Sequence, residues 1–447
     1  MLGFSKAKWE EFLSSYTHLY VKDRVVFSYH DGVYPEMFFL FSTDEFLHLG
    51  GNEAVTYTPD CDIDSMSPEE IDDIEAFVYA APAGVLKDRL NILGFGETLL
   101  KESFEEALGD SIQSTIASMH RYADEDNPMR DHLKDHIEDI IKRTKEEIKE
   151  LQELDYDTWM QQLGDYILSK RSVKAEEQEF RQFIEDPLEF LHHYDERLIL
   201  KAILEHIDDE EVIVLELSDL EYSNLLDEQG INSELRKSGE LGSDVPIIIT
   251  EGTYDTEVLK GAIKILKPHI APYVRFLDYD FKNEGGASFA VSTLKSFAAA
   301  GISNRIVAVF DNDSAAYEAV SALKGIKLPP QYKVIHYPDI DLANEYPTLG
   351  PQGNVMMNVN GLAGSIELYL GTDVLKDSEG NLMPVQWKGY MSKIKSYQGE
   401  VLNKALAQKT FSEKLKIAKT DRKNVDKQDW SGLNAILDKL IETLSNL

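Results

Sequence analysis

The chain has 447 residues, a formal net charge of −35, 43% apolar and 28% charged residues. That length and apolar content predict several packed domains and exclude a disordered polymer. The acidic balance excludes binding of phosphate backbones by bulk attraction and leaves any nucleic-acid contact to a local patch.

A single cysteine, Cys61, excludes a disulfide framework and a CxxC-type zinc ribbon. No apolar run reaches about eighteen residues, and the amino terminus, MLGFSKAKWEEF, carries acids where a secretion signal needs an apolar stretch. The expected location is therefore the cytoplasm.

Residues 1–95 read as a mixed region. In RVVFSYHDGVYPEMFFLF, Asp31 and Gly32 form a turn signal between two aromatic-rich strand candidates, which predicts a β-hairpin there. Residues 96–207 change to charge-laced helical stretches, with Leu133, Ile137, Ile140 and Ile141 at helical spacing, and predict a helical bundle. A strand candidate, EVIVLEL, and a polar, glycine-containing run from Asp219 to Asp244 make residues 208–243 the expected connector.

Over residues 244–372 strand and helix alternate. Strands are expected at Val245–Thr250, Val274–Leu277, Arg305–Phe310 and Lys333–His336, with helices beginning near Tyr254, Ala287 and Ser314. Nearly continuous apolar strands separated by amphipathic helices predict a parallel sheet covered on both faces. Residues 373–447 read as a helical and irregular extension. Between Val385 and Trp430 it holds eleven Lys and Arg against five Asp and Glu, so Lys414, Lys416 and Lys419 are expected to track phosphates.

Open parallel sheets place their ligand crevice beyond the carboxyl ends of the strands. That rule brings Glu251, from IIITEGTYD, to one rim with Asp311 and Asp313, from VAVFDNDSA. Asp255 follows Glu251 by four residues and falls in the first helical turn, with Gly252 allowing a tight exit from the strand and Ser314 capping the next helix. Clustered carboxylates raise one another's pKa, and a divalent cation removes that cost. Mg²⁺ in particular takes one or two carboxylates and leaves its remaining positions to water and phosphate.

The ordered pair EGTYD and DND, each closing an apolar strand, resembles the TOPRIM catalytic domain of topoisomerases, bacterial primases and OLD-type nucleases. The resemblance implies a Rossmann-like parallel sheet, Glu251 as general acid or base, and Asp255, Asp311 and Asp313 as Mg²⁺ (or Mn²⁺) ligands beside Glu251. Further on, Glu367 in NVNGLAGSIELYLG is similar to the extra acid that OLD-type members use for a second metal. The run DYDFKNEGGAS reads as a solvated loop bearing Asp278 and Asp280, whose Gly285 and Gly286 could admit a phosphate. VAVFDNDSA also fits the D-x-D-x-[T/S] segment of haloacid-dehalogenase-like phosphatases, in which Asp311 would be a nucleophile. That fold usually opens with this strand, whereas here two strands precede it.

No G-x-x-x-x-G-K-[ST] loop is present, so no ATPase partner is expected within the chain. The order of parts resembles bacterial HEPN/TOPRIM fusions, in which a helical HEPN-type domain precedes the TOPRIM domain. Arg130 and His136 satisfy the R-x(4-6)-H ribonuclease pattern of HEPN proteins, as do Arg24 and His30. A helical scaffold serving homo-oligomer formation is expected there. The resulting expectation is a Mg²⁺-dependent nuclease acting on DNA or RNA, in bacterial defence against phage. Its alternative is a non-catalytic sensor of nucleotide or nucleic acid that oligomerises through the helical domain.

Overall fold

A computed structural model describes residues 16–22, 24–30, 34–57, 66–123, 136–168, 195–220, 225–228, 230–242, 245–277, 285–351 and 353–447. It divides into two compact units, residues 1–90 with 95–242, and residues 91–94 with 243–447.

In the first unit, Tyr16–Val21 (β1), Arg24–His30 (β2), Phe46–Gly50 (β3), Glu75–Pro82 (β4) and Val212–Glu216 (β5) form one antiparallel sheet in the order β2-β1-β5-β4-β3. The strand expected in EVIVLEL is thus its central member, and its near-continuous apolar run reflects burial from Ile213 to Glu216. The hairpin differs from expectation: β1 and β2 turn at Lys22, which is left-handed at φ 57°. Asp31 and Gly32 lie outside the described residues, and a short helix, Pro35–Phe39 (α1), stands where a second strand was expected. Pro35 occupies the first turn, where its fixed φ suits a helix and no amide is needed, while Met37, Phe38 and Phe39 are buried.

Glu97–Ala123 (α2), Ile137–Glu153 (α3), Tyr156–Leu168 (α4) and Glu196–Leu204 (α5) supply the helical region, with Trp159 fully buried and stacked on Phe104 at 4.9 Å. The polar run read as a linker holds another helix, Ser233–Gly242 (α6), begun by Asn232, whose side chain accepts from the Leu235 amide. A Cβ at Gly239 would lie 2.0 Å from the Pro35 carbonyl oxygen, so glycine is what lets α6 seat against α1.

In the second unit, Ile247–Ile249 (β6), Arg275–Phe276 (β7), Ile306–Phe310 (β8) and Tyr332–His336 (β10, the intervening β9 being Asn312–Asp313) match the four expected strands. All neighbours run parallel in the order β10-β8-β6-β7. Thr253–Leu266 (α7), Ala287–Ala300 (α8) and Ser314–Val320 (α9) begin within a residue of expectation. β8 is buried at all five residues, and Ile249, Ala290, Leu294, Ile306, Ala308 and Phe310 build the core beneath the rim. Each large apolar side chain buried there contributes roughly 1.5–3 kcal/mol.

The extension after residue 373 is more ordered than its sequence indicates. Tyr346–Gly350 (β11), Gly353–Met357 (β12), Val385–Met391 (β14) and Ser396–Val401 (β15) form a second sheet in the order β12-β11-β14-β15, while Ala363–Gly364 (β13) pairs with β9. The register of β14 on β15 slips between Trp387 and Gly389. That bulge breaks the alternation of VQWKGYM, so the strand carries no period-two signal. Lys404–Thr420 (α10) and Ser431–Ser445 (α11) complete the unit.

The basic patch needs correction here. Lys416 and Lys419 are exposed, but Lys414 is buried, its ammonium bonded to Asp373 Oδ1 at 2.8 Å and to the carbonyls of Leu370 and Asp429, 4.4 Å from the Trp430 ring centroid. It joins the turn after Leu370 to α10 and is not a phosphate contact.

Candidate active site

β6 and β8 are adjacent and parallel, with Ile249 opposite Ala308, so both chains leave the sheet on one edge. Glu251 emerges two residues beyond β6 and Asp311 one residue beyond β8. The Asp311 amide donates to Glu251 Oε1 at 2.9 Å, which fixes the two acids side by side. Gly286, left-handed at φ 101°, starts α8, and its amide donates to the Glu251 carbonyl at 2.6 Å while the Ala287 amide reaches the Glu251 carboxylate. Gly286, in the stretch whose glycines could admit a phosphate, thus also holds the Glu251 backbone in place. Asp278 and Asp280 lie outside the described residues.

Burial pushes the Glu251 carboxyl up to about 7; the charges of Asp313 and Asp255 add to this, against the amides of Asp311 and Ala287. Asp255, in the first turn of α7, is raised to about 6 by burial and by Glu367, although the Tyr337 hydroxyl donates to its Oδ1 at 3.0 Å. Asp311 is raised well above the carboxylate range, by burial first and then by Asp255, Glu251, Asp313 and Glu367. Its Oδ1 is buried with no hydrogen-bond partner. A buried acceptor left unpaired is costly, and a cation is the partner that also relieves the repulsion among its neighbours.

The donor set fits Mg²⁺ or Mn²⁺. All its side chains offer hard oxygens, and the orphaned Asp311 oxygen lies in the midst of further acids. Among the described residues no group of three or more His, Cys, Asp or Glu side chains is placed to hold a metal ion. The Gly252 backbone is extended at φ −163°, open to any residue, and a Cβ there would stand in ordinary contact, 3.6 Å from Asp255 Oδ2. Neither backbone conformation nor space requires glycine at this position, so the tight exit expected of it is not seen.

Asp313 is committed elsewhere. Its Oδ1 caps α9 by accepting from the Ala316 amide at 2.8 Å, and its Oδ2 accepts from Gln398 Nε2 at 2.7 Å. The helix cap is therefore Asp313, not Ser314, whose hydroxyl donates to the Tyr397 carbonyl at 2.8 Å. Glu367 is buried, with Lys404 Nζ 3.2 Å from Oε2, the Ser365 hydroxyl 2.7 Å from the same oxygen, and Gln408 Nε2 3.0 Å from Oε1. Burial opposes its ionisation, but Lys404 and the two hydrogen bonds hold its carboxyl below the usual range. Burial likewise works against the Lys404 ammonium, and Glu367 more than offsets it.

Several residues at the rim escaped the sequence reading. Tyr337 and His336 close β10 as Asp311 closes β8; His336 Nδ1 lies 2.8 Å from the Asp311 carbonyl oxygen, and the ring stacks on Tyr317 at 4.0 Å. The strand-end rule that found Asp311 finds both of these if applied to the last strand. Gln398 and Lys404 come from the bulged hairpin and α10, and no local pattern marks them. Of the HEPN-type pair, His136 is exposed at the start of α3, and Arg130 lies outside the described residues.

Residues 13–238, just over half of the chain, match the family model described as HEPN/Toprim N-terminal domain 1. No curated protein and no solved structure matches the chain. The matched stretch ends before β6, so the acidic rim lies wholly in the part that follows it.

Proposed function

We propose, from the premise that this chain belongs to the HEPN/Toprim N-terminal domain family, that it is a divalent-cation-dependent nuclease whose centre is Glu251, Asp255 and Asp311. The observation carrying this reading is the buried, unpartnered Asp311 Oδ1 among like charges at the carboxyl edge of a parallel sheet. Such a cluster is strained alone and relieved by a cation.

In this reading Asp311 and Asp255 hold the ion, Mg²⁺ or Mn²⁺. The Tyr337 hydroxyl fixes the rotamer of Asp255, and the Asp311 amide fixes that of Glu251. Bound there, the ion supplies positive charge to the phosphodiester oxygens and to the attacking water. Glu251 moves the proton, as a general base for water or a general acid for the leaving oxygen; burial and the neighbouring carboxylates raise its pKa in the metal-free site. Asp313 positions the start of α9, and Glu367 anchors Lys404, whose charge opposes the excess of carboxylates.

The test is cleavage of plasmid, single-stranded DNA and tRNA in Mg²⁺ or Mn²⁺. The wild type should cut at least one, EDTA should stop it, and Glu251→Gln should slow it by about 10²–10⁴-fold, the range for a lost general acid–base. Undiminished cleavage by Glu251→Gln, or cleavage in EDTA, overturns the assignment.

A further inference from the structure

Beside the acidic rim, the β14–β15 hairpin carries three aromatic rings in succession. Tyr390 and Tyr397 are register partners with ring centroids 5.1 Å apart and steeply inclined, and Trp387 meets Tyr397 edge-on at 6.3 Å. Tyr390 is 54% exposed and Tyr397 57%. Two large rings left more than half exposed contribute less to the fold than their size allows.

The charge around them runs against the rest of the chain. Residues 385–399 hold Lys388, Lys393 and Lys395 and no Asp or Glu, in a protein with net charge −35. Lys388 and Lys393 lie against Glu400 and Glu318, and Lys395 stands exposed at the hairpin turn.

The hairpin is also joined to the site. Gln398, next to Tyr397, donates to Asp313 Oδ2 at 2.7 Å and accepts from the Ala315 amide at 2.8 Å, while the Tyr397 carbonyl accepts from Ser314. The rings are thus mounted on the segment that carries Asp311 and Asp313.

We propose that this face binds single-stranded nucleic acid, with unpaired bases stacking on Tyr390 and Tyr397 and Lys395 neutralising an adjoining phosphate, Lys388 and Lys393 being paired with Glu400 and Glu318. This rests on the nuclease reading and gives it a substrate class. Open aromatic faces accept the π-face of any base, but only where the base is not already stacked in a duplex. A duplex also carries twice the charge density toward an otherwise acidic surface, and three lysines are too few to offset it. A second copy of the chain is a poorer occupant, since it brings the same lysines and the same net charge.

Fluorescence anisotropy of the full chain in EDTA, with labelled 20-nucleotide oligo(dT), oligo(U) and a matched DNA duplex, tests this. Cleavage of bis(4-nitrophenyl) phosphate in Mn²⁺ serves as a probe of the carboxylates that is too small to need the hairpin. The wild type should bind single strands more tightly than duplex. Tyr390→Ala/Tyr397→Ala should weaken that binding about tenfold or more, from the loss of two stacking rings. Tyr390→Phe/Tyr397→Phe should retain it, and Lys395→Glu should lower its salt dependence by about one phosphate contact. Hydrolysis of the small diester should stay unchanged in all three.

Equal binding by the alanine variant and the wild type overturns the stacking face and leaves the nuclease reading standing. So does tighter binding of duplex, or a wild-type dimer that the alanine variant converts to monomer. Single-strand binding lost in the alanine variant, with no cleavage of plasmid, single-stranded DNA or tRNA by the wild type in Mg²⁺ or Mn²⁺, sustains the stacking face and sinks the nuclease reading.

Discussion

Two groups of acids in the second unit have opposite fates. Around α10, three carboxylates have a cation or several donors: Lys414 bonds Asp373, Lys404 lies on Glu367, and Asp429 accepts from the amide and hydroxyl of both Thr372 and Ser431. Burial works against ionised Asp429, yet those donors hold its carboxyl far below the usual range. At the rim, burial and mutual repulsion push Glu251, Asp255 and Asp311 upward, and an Asp311 oxygen has no partner at all. The first group is complete within the protein and reads as structure. The second leaves a buried acceptor unpaired, the feature on which the proposed cation site rests.

The largest expected difference comes from neutralising one acid in each class of setting. Asp311→Asn should cut cleavage by at least about 10²-fold, because its carboxylate is assigned to hold the cation. Yet in EDTA at pH 8 it should raise the melting temperature by about 1 °C, the effect of roughly 1 kcal/mol in a chain of this size. The pH dependence has a definite sign. Glu251 binds its proton more tightly folded than unfolded, so without metal the folded state loses stability as pH rises from the ordinary value of 4.5 to about 7. Saturating Mg²⁺ should abolish that slope, and Asp311→Asn should flatten it. Thermal melts at pH 5 and pH 8, with and without Mg²⁺, read both effects; a wild type more stable at pH 8 in EDTA contradicts the strained cluster.

Lys414→Met should behave in the opposite way. It strands Asp373 and two carbonyls without their cation and should destabilise by about 2–3 kcal/mol, the lower part of the range for broken buried pairs because Asp373 is partly exposed. Urea unfolding measures it. Mg²⁺ dependence of cleavage by the folded fraction should not change.

Tyr337→Phe lies between these two. It removes a single hydroxyl from a buried ring whose partner is Asp255 Oδ1. Supporting hydrogen bonds behind metal ligands are typically worth 10–100-fold in metal affinity. The Mg²⁺ concentration for half-maximal cleavage should rise by about tenfold, with the maximal rate changed less. An unaltered Mg²⁺ titration detaches Tyr337 from the site.

The rim was largely legible in the sequence because it is a consequence of topology. IIIT and RIVAVF are apolar enough to be strands, they alternate with helices and so run parallel, and parallel strands leave the sheet on one edge. Glu251 and Asp311 needed nothing more. What occupies their neighbours was not legible. Lys404 and Gln398 reach the rim from α10 and from a hairpin whose bulge removes the alternation that reveals strands. Lys414, one of eleven basic residues in a run that reads as uniformly exposed, is buried because the turn after Leu370 needs its charge. Pairing partners separated by about forty residues leave no local trace, so the sequence cannot separate an acid sealed by lysine from one awaiting a cation.

Glu367 tests that distinction most finely, since its motif position reads as metal-binding and its contacts read as sealed. It lies near enough to add to the raised pKa values of Asp255 and Asp311, so its charge is felt at the rim. Both its oxygens nonetheless accept from Lys404, Ser365 and Gln408, and a cation bound there would have to displace an ammonium already in place. Glu367→Gln keeps the shape and removes the charge. As a sealed acid it should cost roughly 1 kcal/mol of stability by weakening those bonds, and it should shift the Mg²⁺ midpoint by less than about threefold, below the loss typical of a second-sphere change. As a metal ligand it should match Asp311→Asn, losing cleavage and gaining melting temperature in EDTA. The two outcomes differ in the sign of the stability change as well as in activity, so a melt in EDTA beside a Mg²⁺ titration decides between them.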